Sequence, residues 1–225
     1  IARMVTGLDS ASAGLSKYGE KMTATKTITT ATGESLETVN KVLDDLNWFT
    51  DETSYDFTQM TGTIGKFTAA GEKLEDAKEE VEGIALWAAE SGQNAQTASR
   101  VMYQLSQAYG KGKFALQDWM SVETANMATQ KIQNQLIEEG GEAAKAAIAA
   151  HGGFRDSLRD GWLTTKVFNN VMKKYTEGIS EANYENGKFT GGVTELSEHA
   201  FRAAQEARTF TDVVNALKDA VSTGW

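Results

Sequence analysis

The sequence contains neither proline nor cysteine among its 225 residues. Without cysteine, the chain cannot form a disulfide scaffold and has no thiolate to serve as a nucleophile or metal ligand. Without proline, it lacks the residue that interrupts helices most strongly. Its 21 glycines are therefore expected to end and separate the secondary-structure elements.

Positive charge is also scarce. The chain carries 22 Lys and Arg against 31 Asp and Glu, which gives a net charge of -9 and a pI near 4.9. A general nucleic-acid-binding protein needs a basic surface to neutralise phosphates. The acidic balance therefore argues against that class and against sequence-specific nucleic-acid binding, although it leaves room for a small basic patch.

Histidine occurs only twice, as His151 and His199. The stretch Glu195–His199 resembles the inverted zinc motif HxxEH, but Glu195 stands where the first histidine ligand belongs. A lone histidine is more often a surface residue or a charge at a helix C-terminus. We therefore expect no metal site and no cofactor.

Long apolar runs are missing as well. The longest is Ile84–Ala89, whereas a membrane-spanning helix needs about 20 apolar residues. The sequence predicts no membrane span in this piece and no signal peptide, since no apolar stretch lies near the start. Because it begins at Ile1 and stops just after a helical pattern, we expect it to be part of a longer protein.

What is present is helical periodicity. Apolar residues recur at helical spacing, which predicts amphipathic helices and an all-α fold of about eight helices separated by glycines. The predicted stripes run over Leu36–Phe49, Phe57–Phe67, Leu74–Ala88, Ala98–Tyr109, and a longer helix over Val122–Glu139.

In the rest of the chain, apolar residues recur at helical spacing less often. Thr164 is predicted to cap a helix, and Thr209–Asp212 fits a capping box that would open a separate final helix. YENGKFTGG, residues 184–192, predicts one short hairpin. We expect three segments: a flexible or extended lead-in over 1–33, a helical domain over 34–140, and a second helical segment over 141–225 that continues into a longer protein.

The stretch Tyr109–Ser121, YGKGKFALQDWMS, alternates two glycines with two lysines. A phosphate-binding P-loop needs GxxxxGK[ST] after a strand, but here Phe114 follows Lys113 and a helix precedes the glycines. The pattern favours a helix end at Gly110 and a tight turn at Gly112, with Lys111 and Lys113 free to meet an acidic partner. We expect Leu116 and Trp119 to be buried against Trp87 or Met102.

Carboxylates occur in runs such as Glu79–Glu80, which we interpret as solvated helix faces. One enzymatic alternative concerns Glu90–Ser91, which resembles the Glu-Ser pair of lytic transglycosylases, where the Glu protonates a glycosidic oxygen. The Gly-Leu-Met-Gln segment expected of those enzymes is absent, and Tyr103–Gln107 is the nearest match. Peptidoglycan clearing that is lost on Glu90→Gln would identify such an enzyme.

Phe49 to Gln130 resembles the tape measure domain of long-tailed bacteriophages and prophages. The resembling stretches are FTDETSYDFTQMTGTIGKFTAAG and ALWAAESGQNAQTASRVMYQLSQAYGKGKFALQDWMSVETANM. FRDSLRDGWLTTKVFNNVMKKY and TFTDVVNALKDAVSTGW resemble the usual continuation, so the resemblance covers most of the chain after residue 35.

This resemblance implies a structural and non-enzymatic role: setting tail length, and serving tail assembly and DNA ejection. It implies a location in the tail lumen or tip, with the host cytoplasm as the place of assembly. The implied partners are the tail tube protein, tail-tip proteins and tail assembly chaperones, with several copies of the chain per tail. A general helical interaction module is the alternative that the residues leave open.

Overall fold

The computed structural model describes residue 19, residues 21–208 and the backbone of residues 209–222. In these residues the chain forms ten α-helices, two short 3₁₀ turns and one hairpin, which confirms the all-α class. The helices are α1 (21–32), α2 (Leu36–Glu52), α3 (Phe57–Ala69), α4 (Leu74–Glu90), α5 (Ala95–Tyr109), α6 (Leu116–Thr124), α7 (Gln130–His151), α8 (Phe154–Ser157), α9 (Thr165–Thr176) and α10 (Glu195–Ser222).

Helix α4 lies at the centre of the fold. It packs against α9 and α10 as well as against α2, α3 and α5, and twelve of its seventeen residues are buried. Residues 81–89, the C-terminal half of α4, are all buried. The run Ile84–Ala89 makes this half apolar on all sides, and such a helix has to be enclosed by others.

One apolar core joins the two predicted helical segments. It extends from Ile28 to Ala204, and α4 of the first segment contacts α9 and α10 of the second. Within the described residues, the predicted division into 34–140 and 141–225 therefore does not separate two cores.

Part of the predicted lead-in is a helix. Residues 21–32 form α1, whereas an extended or flexible segment is predicted there; the rest of the lead-in, apart from residue 19, lies outside the described residues. Ile28 is buried in the core, and the hydroxyls of Thr25, Thr30 and Thr32 donate to carbonyls four residues earlier. Ile28 is the one buried side chain among residues 21–32, and a single position gives no repeating pattern from which a helix could be predicted.

The predicted helix over Val122–Glu139 is two helices. Helix α6 ends at Thr124, Asn126 adopts a positive φ of 55°, and α7 begins after Thr129, whose side chain accepts from the Ile132 N–H. Helix α7 is interrupted at the predicted stop Gly140–Gly141, because Gly141 has the non-helical angles φ 59° and ψ -140° and joins two helical stretches at a kink. Only glycine adopts that conformation readily.

The predicted hairpin is present. Strands β1 (Tyr184–Glu185) and β2 (Lys188–Phe189) pair antiparallel, and Asn186 and Gly187 both have positive φ, as a two-residue primed turn requires. Ring contacts hold the hairpin to α10, since Phe189 lies 5.1 Å and Tyr184 5.7 Å from the Phe201 ring.

Helix α10 has a continuous backbone from Glu195 to Ser222. The separate helix predicted to open at Thr209–Asp212 is therefore not a new element but the second half of α10. The capping-box pattern is only four residues long and can also occur inside a helix. Whether a helix begins there depends on the helical periodicity on both sides of the pattern.

Candidate functional site

The Gly-Lys turn links α5 to α6. The Lys111 N–H donates to the Ala108 carbonyl and the Gly112 N–H to the Tyr109 carbonyl, at 2.9 and 3.0 Å. Gly112 has a φ of 70°, the left-handed conformation that glycine adopts without strain. Gly110 remains right-handed at φ -60°, so its position does not itself require glycine.

This turn is paired with a segment fifty residues later. Lys113 and Thr164 form an antiparallel bridge. The Phe114 N–H donates to the Leu163 carbonyl at 2.8 Å, and the Thr165 N–H donates to the Gly112 carbonyl at 3.1 Å. The backbone of the Gly-Lys stretch therefore positions the start of α9. Helical periodicity within the sequence cannot reveal such a long-range contact.

The two lysines differ in what they contact. The Lys111 ammonium lies 3.2 Å from Asp118 Oδ1, and the other oxygen of that buried carboxylate accepts from the Ala115 N–H at 2.9 Å. The expectation that both lysines are free is therefore wrong for Lys111. Lys113 is exposed and lies along Gly161, where an added Cβ would be 3.1 Å from its Cδ.

The predicted aromatic anchors lie in different parts of the core. Trp119 is 1% exposed and Trp87 is fully buried, but the ring beside Trp119 is Phe154 at 4.8 Å, and the ring beside Trp87 is Phe168 at 6.2 Å. Leu116 is only half-buried. The predicted burial of Trp119 holds, whereas its ring partner comes from the chain after α7 rather than from α4.

Glu90 lies where α4, α7, α9 and α10 meet. Its carboxylate pairs with the Lys131 ammonium, accepts from the Tyr175 hydroxyl at 3.1 Å, and lies 3.5 Å from His199 Nδ1. These contacts link the C-terminal end of α4 to α7, α9 and α10 through one carboxylate. The geometry therefore makes Glu90 a structural anchor among four helices.

The histidines are engaged with carboxylates. His151 Nε2 lies 2.8 Å from Asp160 Oδ1, and the zinc-like stretch is divided, since Glu198 pairs with Arg202 while His199 faces Glu90. Within the described part of the chain, no three His, Cys, Asp or Glu side chains converge as metal ligands would.

Two carboxyl groups on α4, those of Glu80 and Glu82, are buried in the core. The predicted solvated face at Glu79–Glu80 therefore holds for Glu79, whose side chain is 41% exposed, and is wrong for Glu80. Glu80 is fully buried and neither of its carboxyl oxygens has a hydrogen-bond partner; the neighbouring Tyr109 hydroxyl donates to Asn169. Burial, with Glu72 nearby, raises the pKa of Glu80 to about 9.

The second carboxyl, Glu82, is 2% exposed. Burial raises its pKa to about 7, against the opposing effect of the Lys78 ammonium 3.4 Å away. A helix enclosed on all sides buries its nominally polar positions too.

A surface groove that sequence patterns did not indicate lies between α3, α5 and α6. It has a volume of about 660 Å³, and Lys66, Arg100, Tyr103 and Met120 are among its lining residues. Tyr103 and Met120 are 46% and 45% exposed. The sequence signal for it is weak: an exposed Tyr and an Arg three residues apart on the outer face of α5.

None of the helices searched in the described chain is long and apolar enough to cross a membrane. A protein-family model described as "Tape measure protein" matches residues 13–223. No curated protein and no solved structure matches the chain.

Proposed function

We propose that the chain, which belongs to the tape measure protein family, is a folded helical module of a phage tail that contributes to tail length, tail assembly and DNA ejection. The family match spans nearly the whole chain, so the proposal concerns the fold as a unit and not one short motif. The observation that best supports this proposal is the single apolar core that joins α1 to α10.

The compact fold limits how much the module can add to the length of the tail. As one continuous helix, the chain would span about 340 Å at about 1.5 Å per residue. A compact chain of this size has a radius of gyration of about 17 Å and a diameter of about 45 Å. We infer that the module adds little to a counted length and acts at one end of the tail, in the lumen or at the tip.

The proposed partners follow from that position. They are the tail tube protein, the tail-tip proteins and the tail assembly chaperones, with several copies of the chain in one tail and assembly in the host cytoplasm. The role is structural, in keeping with the family and with the use of Glu90 as an anchor between helices.

Deletion of residues 34–208 from the gene in its phage tests the proposal, with tail length measured by electron microscopy. We expect either no tails, or tails shortened by less than about 45 Å that do not infect. Tails shortened by about 260 Å would mean that the segment is counted as extended helix.

A matched variant separates folding from residue number. Trp119→Ala keeps every residue but removes a large buried side chain, so it should reduce infectivity without changing tail length if the folded state is what matters. Normal length and normal infectivity in the deletion phage would contradict any role of the module in the tail.

A further inference from the structure

The groove between α3, α5 and α6 combines apolar and cationic side chains on an acidic chain. In the described residues, four large hydrophobic side chains are exposed, and two of them, Tyr103 and Met120, line this one groove. Isolated exposed apolar residues are ordinary, but two that converge in a concavity are typical of a binding site.

The charge in the groove has one sign. Lys66 and Arg100 line it, and no carboxylate does, although the chain as a whole has a net charge of -9. A local field opposite to that of the whole molecule attracts anionic groups specifically to this place.

Both cations lack an acidic partner within the residues described. The Lys66 ammonium lies 4.3 Å from the centre of the Tyr103 ring, and an Arg100 guanidinium nitrogen donates to the Thr97 hydroxyl at 3.3 Å. A cation–π contact and a neutral hydroxyl leave most of the donor capacity of the two groups unused. Other cations of the fold, such as Lys173 and Arg202, already pair with carboxylates.

Several of the residues that line the groove lie along helix α5. Gln96, Arg100 and Tyr103 recur at a spacing of three to four residues, so they lie on one helix face. From Gln96 to Gln104 the face is about 12 Å long, or about two helical turns. About four extended residues span this length at about 3.3 Å each, so the footprint fits a short peptide segment.

We propose that this groove binds an acidic peptide segment of a partner protein, with carboxylates that pair with Lys66 and Arg100 and an apolar side chain that packs on Tyr103 and Met120. The inference goes beyond the proposed role in the tail and does not depend on it. Nucleic acid would also meet the two cations, but a long polyanion would be repelled by the surrounding chain, whose net charge is -9.

The test uses the whole chain and two fluorescein-labelled 12-residue peptides. One has a repeating Glu-Glu-Leu-Leu pattern, and the other replaces every Glu by Gln. Fluorescence anisotropy is expected to show binding of the acidic peptide only, weakening as salt rises. In the wild-type chain the methyl NMR signal of Met120, one of seven methionines, should shift on titration.

Charge variants locate the contact. Lys66→Glu combined with Arg100→Glu should weaken binding about tenfold or more, because two attractive pairs become repulsive. Lys145→Glu combined with Arg159→Glu makes the same change in net charge at exposed positions outside the groove, and should change binding less than about twofold.

Several outcomes would overturn the proposal. These are an acidic peptide that does not bind, an equal loss in both charge-reversed variants, or an unshifted Met120 methyl signal. Oligo-dT that binds as tightly as the peptide, with Met120→Ser without effect on either, would show a general anion-attracting surface instead. The wild-type methyl titration decides even if a variant fails to fold.

Discussion

A Cβ atom placed on Gly83 would lie 2.8 Å from the Cβ of Met172 and 2.7 Å from its carbonyl oxygen. Helices α4 and α9 therefore touch at their backbones. Gly83 is the residue that lets the central helix approach α9 so closely.

Gly83→Ala should destabilise the fold by about 1–3 kcal/mol, because the added methyl group meets backbone atoms that cannot turn aside. Thermal unfolding followed by circular dichroism measures it. Gly62→Ala in α3 is the matched control, since a Cβ there meets nothing within 4 Å, and it should stabilise by about 0.5–1 kcal/mol through helix propensity. Equal behaviour of the two variants would contradict the close packing of α4 on α9.

Glu80→Gln should stabilise the fold at pH 8 and have little effect near pH 4.5. The folded-state pKa is about 9 against an ordinary 4.5, so between these values the unfolded state ionises while the folded state keeps its proton. The unfolded state then binds fewer protons, and wild-type stability falls as pH rises through this window.

Glutamine stays neutral, and the gain at pH 8 should be on the order of 5 kcal/mol, since pH 8 lies about 3.5 units above the ordinary pKa and each unit contributes about 1.4 kcal/mol. Urea unfolding at several pH values measures it. Glu79→Gln, at a more exposed neighbouring position that pairs with Lys173, should show no such gain. A Glu80→Gln gain that is independent of pH would exclude the buried proton as its cause.

Trp119→Ala should cost about 3–5 kcal/mol, as for other large buried aromatic residues. Leu116→Ala, at a half-buried position, should cost much less. A double-mutant cycle should give Trp119 a coupling of about 0.5–1.5 kcal/mol with Phe154 and none with Trp87. Unchanged stability of Trp119→Ala would remove it from the core.

Lys113→Cys combined with Thr164→Cys should form a disulfide, since facing residues of such a bridge have Cα atoms about 4.5 Å apart. No native cysteine competes. Closing the loop of about fifty residues should stabilise by about 2–4 kcal/mol under oxidising conditions, and reductant should reverse the gain. Thr164→Cys alone, which weakens the cap of α9, is the control. Cysteines that stay reduced in the folded protein would contradict the docking of the Gly-Lys turn.

The sequence predicts local features of this fold well. The Thr164 cap and the Asn-Gly hairpin depend on neighbouring residues alone, and both are present. Burial of Glu80 could not be predicted, because periodicity assigns a polar residue to solvent and cannot show that α9 covers that face. The groove at Tyr103 and Met120 depends on how three helices meet, which no spacing within one helix encodes.

The central place of α4 has a consequence for synthesis on the ribosome. Its apolar stretch Ile84–Ala89 is complete about 75 residues before α9 begins at Thr165, and translation adds about 5–20 residues per second. For roughly 4–15 s the nascent chain therefore holds its most apolar helix without the two helices that later cover it. The order of the helices along the chain therefore sets how long this apolar surface stays without α9 and α10 during synthesis.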